Sequence, residues 1–210
     1  MLTFWKTATT QQKLLFLLKL SLLPTLYLFL FAPTYPHLYG RYTLPDSYYD
    51  HGFLIPLISG YLVWRMRHRL ARVPLSPHHC GLWMVIAGIV VHILGGVALQ
   101  INFVSYAAMI IVLTGLIIYL AGYPFLRQVF FPVFFLVFMM PLPQVMIIGI
   151  AFHMKMMVAG IATFLVKTMG VDVLRVGSTI YIGDTYLIVG DPCSGLRSLI
   201  AFVALGFLFT

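Results

Sequence analysis

Long, uninterrupted apolar runs limit this chain to very few folds. Leu14–Ala32, Gly81–Leu99, Phe103–Ala121 and Val145–Val166 do not alternate polar with apolar residues. Each approaches the roughly 20 residues that a membrane-crossing helix needs. Lipid offers the backbone no hydrogen-bond partners, so only helices and closed barrels cross it. Barrel strands alternate between a lipid side and a lumen side, and these runs do not. The chain is 61% hydrophobic and 9% charged, where a soluble domain carries about 25% charged residues. An all-α polytopic membrane protein is therefore expected, as a single integral-membrane domain over residues 1–210. Shorter runs at Gly52–Trp64, Val129–Met140 and Ser198–Thr210 bring the expected total to about six to seven apolar helices.

The formal charge of +8 comes from 13 Lys and Arg against five Asp. Most of these basic residues lie between apolar runs, where they set orientation rather than bind polyanions. No aromatic-basic interleaving of the kind that reads single strands is present. Membrane lipids are expected as partners and nucleic acid is not. Positive-inside weighting puts the N-terminus, the Arg65–Arg72 cluster and Arg127 in the cytoplasm, and loop Tyr35–His51 outside. The start resembles a signal peptide, but no small-x-small cleavage site follows, so it reads as an uncleaved first helix. The two cysteines, Cys80 and Cys193, make no disulfide framework.

The sixth run decides the side on which Cys193 lies. A spanning helix puts Cys193 in the cytoplasm; an interfacial or re-entrant one puts it outside. His153 and Lys155 are costly at a bilayer centre, while Lys155 and Lys167 suit a helix along the headgroups. A non-spanning sixth segment is expected. The chain then changes character. Val173–Val189 is rich in β-branched and aromatic residues and holds Gly183-Asp184, a two-residue hairpin signal. A small exposed β-hairpin over about 173–189 should deliver Asp191-Pro192-Cys193 to the head of the last helix.

If that helix starts near Ser194, Cys193 is its N-cap or first residue. Unpaired N–H groups and the positive dipole end there favour the thiolate. Arg197 follows four residues on, one helical turn along the same face. The N–H groups of Ser194 and Gly195 can serve as an oxyanion hole. Asp191 can orient Arg197, although its charge opposes thiolate formation. The bland alternative is a buried Cys packing as a small hydrophobe, with Arg197 snorkelling to the interface. The residues by themselves leave both readings open.

Elsewhere, His78-His79-Cys80 are three consecutive residues that cannot readily converge on one metal ion. No metal site and no cofactor is expected. His92 reads as a hydrogen-bonding group within the bundle, and the methionines around Met154–Met157 as gap-fillers. His51 stands at the outer mouth of the second helix and is kept as a supporting residue.

Three segments together resemble the exosortase/archaeosortase group of membrane cysteine transpeptidases. Tyr48-Tyr49-Asp50-His51-Gly52-Phe53-Leu54-Ile55-Pro56 is similar to that family's Tyr-Ser-His-Gly-Phe-Leu-x-Pro element. Phe131-Pro132 through Pro141-Leu142-Pro143 is similar to its Phe-Pro…Pro-Leu-Pro segment, and Cys193-Ser194-Gly195-Leu196-Arg197 to its nucleophile motif. The resemblance implies a peptidase that recognises proteins with a C-terminal sorting tail: a short motif such as Pro-Glu-Pro, a transmembrane helix and a basic end. Cys193 would form a thioester at the outer face of the inner membrane, resolved by an amine or water. It also implies a link to exopolysaccharide production. The family's catalytic Arg and His lie in later helices, which Thr210 precedes. Arg197 and His51 match other family positions. The chain is thus expected to be an N-terminal portion, inactive or severely impaired alone. The competing expectation is a non-catalytic scaffold subunit of a polysaccharide export assembly.

Overall fold

Proline and glycine decide where the apolar runs stop being helix. A computed structural model describes residues 10–44, 47–183, 185–190 and 194–209, by backbone alone at 10, 12, 13, 15–17, 20 and 194–197. Helix α1 (Thr10–Leu30) carries Pro24 in its interior, and the Thr25 hydroxyl donates to the Ser21 carbonyl beside it at 2.8 Å. Pro33 then opens α2 (Thr34–Thr43). Helix α3 (Leu54–Arg65) follows a 3₁₀ turn at Asp50–Phe53. Helix α4 (Cys80–Val91) continues as a π-helical stretch over His92–Ala98, and α5 spans Asn102–Leu120. Gly122, at φ 90°, turns the chain into α6 (Tyr123–Phe135), which tightens to 3₁₀ over Leu136–Met139. Pro143 ends that passage and α7 runs from Gln144 to Thr168.

The fold is mostly helical, as expected, and its apolar helices fall into two length classes. Among the described residues three helices are long and apolar enough to cross a membrane: Cys80–Ala98, Asn102–Leu120 and Gln144–Thr168. The apolar helices Ser21–Leu30, Tyr123–Met139 and Ser198–Leu208 are shorter. Helix α3, at 12 residues, is about 18 Å long against a hydrocarbon core of about 30 Å. Apolar composition thus extends further along the chain than unbroken spanning helix does. A difference lies at Tyr35–Asp50, expected as a loop. Its first part is α2, because Thr34, Leu38 and Tyr42 recur every fourth residue and are all buried.

The chain forms two compact units, Met1–Pro141 with Gly206–Thr210 and Leu142–Leu205. The first is organised around the α4–α5 hairpin. Gly81, Gly88 and Gly95 recur at seven-residue spacing and face α5. A methyl group at Gly81 would strike the Tyr119 and Gly115 backbone, and at Gly88 or Gly95 the side chains of Val112 or Val104. Helices approach this closely only over small residues. His92 is buried beside this seam, with its ring 4.6 Å from that of Phe31, just after α1.

The second unit is α7 plus a small sheet. The expected hairpin is present: Gly183 takes φ 55° and Ile182 pairs with Thr185. It belongs, however, to a three-stranded antiparallel sheet in the order β1 (Val173–Val176), β2 (Thr179–Ile182), β3 (Thr185–Ile188). The first strand is added by a second tight turn, Gly177-Ser178, where Gly177 takes φ 64°. Val173, Ile180, Ile182 and Val189 pack on Ala159, Ala162 and Val166 of α7. Arg175 crosses the same face and donates to the Met156 carbonyl at 3.0 Å.

Candidate active site

The sheet and the last helix bracket the segment that carries the thiol. Strand β3 ends at Ile188, and Val189 is held to the sheet by its N–H donating to the Ser178 carbonyl at 3.1 Å. Helix α8 opens at Ser194 and runs to Leu208. The helix thus starts where the sequence places it, directly after Cys193. Cys193, Asp191 and Pro192 lie outside the described residues. Ser194, Gly195 and Arg197 occupy the first turn of α8, where the helical N–H groups lack intrahelical acceptors. At 15 residues the helix is long enough for its dipole to act on a group at that end.

His51 belongs to the other compact unit. It sits in the 3₁₀ turn Asp50–Phe53 at the head of α3. Gly52 lies so close to the Tyr42 ring that a Cβ there would overlap it. The Tyr42 hydroxyl donates to the Met139 carbonyl at 2.7 Å, and the Tyr42 and Phe53 rings are edge to face at 4.8 Å. The Ser47 hydroxyl donates to the Arg41 carbonyl and accepts the Tyr49 N–H. Tyr49 is buried, with its ring 6.1 Å from that of His51.

The Nε2 atom of His51 is buried and, among the described residues, has no hydrogen-bond partner. Burial lowers the His51 pKa below its usual value, against an opposing pull from the Asp50 carboxylate. The imidazole is thereby biased towards its neutral form. A neutral imidazole with an unused nitrogen can accept or donate one proton, the requirement for positioning or acid–base work.

Two of the motif segments meet inside this unit, where the Asp50–Phe53 turn packs on Leu136–Met139, and two flanking residues tie them further. The Ser59 hydroxyl on α3 donates to the Pro132 carbonyl on α6 at 2.8 Å, in a buried position. Tyr42 ties the His51 turn to Met139 at the other end of the second motif. Ser59 and Tyr42 lie outside the motif segments. Their signal is geometric, since a hydroxyl bonding a carbonyl some 70 residues or more away leaves no spacing pattern. Around Cys80, the His78 ring Nδ1 accepts the Cys80 N–H at 3.2 Å and so caps the start of α4.

Comparison with curated proteins and with solved structures returns no match. A family model described as transmembrane exosortase matches residues 43–210, which include all three motif segments and Cys193. With that match over most of its length, and with apolar helices of spanning length, the chain belongs to the transmembrane exosortase family.

Proposed function

We propose that this protein is a membrane-embedded cysteine peptidase and transpeptidase that processes C-terminal sorting tails of exported proteins, with Cys193 as nucleophile. The observation that carries this reading is the position of Cys193, immediately before the first residue of α8 in a family of membrane transpeptidases. The thiolate is favoured there by the free N–H groups and the dipole of the helix. Its sulfur attacks the scissile carbonyl, the C–N bond breaks, and the amine leaves carrying the proton that the Cys193 thiol gave up. The resulting thioester is then opened by a second amine, giving a transpeptide, or by water, giving an acid. The N–H groups of Ser194 and Gly195 are suited to the oxyanion of the tetrahedral intermediate. Arg197, one turn on in sequence, is proposed as a supporting cation. His51 is proposed as a supporting group.

The proposed location is the inner membrane, multi-pass, with the thiol on the outer face. The sheet on α7 supports that side. It packs along Ala159, Ala162 and Val166, and Arg175 reaches back to Met156. Open sheet edges do not occur in the hydrocarbon. The part of α7 clear of the sheet, Gln144 to Lys155, is about 18 Å long, short of the roughly 30 Å needed to span. A segment that does not span returns Cys193 to the side from which α7 began.

Processing of a reporter fused to a sorting tail (a Pro-Glu-Pro motif, an apolar helix and a basic end) tests the function in the native host. The Cys193→Ala strain should accumulate the uncleaved precursor. Continued processing in that strain would assign the protein to the scaffold role instead.

A further inference from the structure

Strand β3 has an edge that the sheet does not use. Its pairing partners are Thr179 with Ile188, Ile180 with Leu187, Tyr181 with Tyr186 and Ile182 with Thr185. Ile182 and Thr185 close a two-residue hairpin connection and so form a hydrogen-bonded pair, and the Val189 N–H bonding the Ser178 carbonyl keeps the same alternation. In an antiparallel ladder, hydrogen-bonded and non-hydrogen-bonded pairs alternate. Thr185, Leu187 and Val189 therefore turn their N–H and C=O towards β2. Tyr186 and Ile188 turn theirs away. Among the described residues no strand pairs with that outer side.

This edge is also bare. Ile180, opposite Leu187 on the face towards α7, is 5% exposed, whereas Leu187 itself is 58% exposed, so β3 overhangs the helix. Tyr186 and Ile188 are 63% and 62% exposed. Natural edge strands are usually protected by a charge, a proline or a bulge. Thr185-Tyr186-Leu187-Ile188 carries none of these. Beyond the edge the chain leads within five residues to Cys193, a reach of about 17 Å at most when extended. An unprotected edge, continuous with the segment that holds the nucleophile, fits a peptide that must be held extended beside it.

We propose that the outer edge of β3 is the substrate peptide subsite. The stretch flanking the scissile bond adds to the sheet as a fourth strand, pairing with the N–H and C=O of Tyr186 and Ile188, and is thereby presented to Cys193. Such strand addition takes affinity from the main chain and selectivity from alternate side chains. Tyr181 and Tyr186, with rings 6.3 Å apart on the face away from α7, offer an aromatic surface to those side chains. This subsite rests on the reading of Cys193 as nucleophile.

The test uses the full-length protein in proteoliposomes with the sorting-tail reporter. Ile188→Pro removes an outward donor while leaving the β2 ladder intact, a position at which edge strands tolerate proline. We expect kcat/KM to fall about tenfold or more, against little change for Ile188→Val, because one backbone bond and the strand's close approach are lost. A second readout does not depend on turnover. With p-benzoylphenylalanine replacing Tyr186 or Ile188 in a Cys193→Ala background, light should link the protein to the reporter; the same probe replacing Leu174, on β1, should not. Wild-type kinetics for Ile188→Pro with no reporter crosslink would overturn the subsite. So would crosslinks joining two copies of this chain, which would make the edge a dimer contact. Loss of the subsite leaves processing dependent on Cys193, whereas failure of the nucleophile reading leaves processing intact in Cys193→Ala.

Discussion

At the scale of single residues, His51 shows how environment adds to identity. The sequence places an imidazole ahead of an apolar helix; the fold buries its Nε2 without a partner among the described residues and packs Tyr49 beside it. Burial lowers its pKa, with Asp50 opposing. The sign follows from linkage. A base whose folded-state pKa is depressed resists protonation in the native state, so its contribution to stability is complete above the ordinary value of about 6.5. That contribution is lost as pH falls through the lower folded-state value. Nuclear magnetic resonance of ¹⁵N-histidine protein in micelles should show the His51 imidazole titrating below about 6.5. A midpoint at or above that figure would contradict the buried environment. No sequence pattern carries this property, because the Asp50–Phe53 turn is packed by α2 and by Leu136–Met139, which are not local to it.

At the scale of elements, glycine spacing was legible only in part. Nothing in the composition of α4 distinguishes Gly81 from Gly60 on α3 or Gly149 on α7. The packing does. A Cβ at Gly81 meets the backbone of α5, whereas Gly60 and Gly149 have nothing within 4 Å. Gly81→Ala should therefore force α4 and α5 apart and cost about 1–3 kcal/mol. Gly60→Ala and Gly149→Ala should be neutral or stabilising by up to about 1 kcal/mol, since alanine is the better helix former. Unfolding midpoints in mixed micelles compare the three, and equal effects would sink the seam. The sheet shows the same division. The pairing of β2 with β3 was readable from local chemistry, but β1 needed a second glycine turn and the apolar face of α7 to dock on.

At the scale of the whole molecule, the side reached by the thiol depends on α7. If the sheet keeps the second half of that helix out of the hydrocarbon, both of its ends lie on one face of the membrane. Single cysteines introduced at Gln144 and Gly170, in a background lacking Cys80 and Cys193, should react alike with an impermeant thiol reagent in spheroplasts. Labelling of one and protection of the other would show that α7 spans. The apolar runs by themselves determined that the protein is helical and membrane-bound, because lipid leaves the backbone no other way to satisfy its hydrogen bonds. Local motifs also determined the family and the start of α8 after Cys193. Tertiary structure alone decided which glycines sit in a seam and which strand edge stays open. Those properties arise where segments distant in sequence approach one another, and the contacts that decide them have no local period.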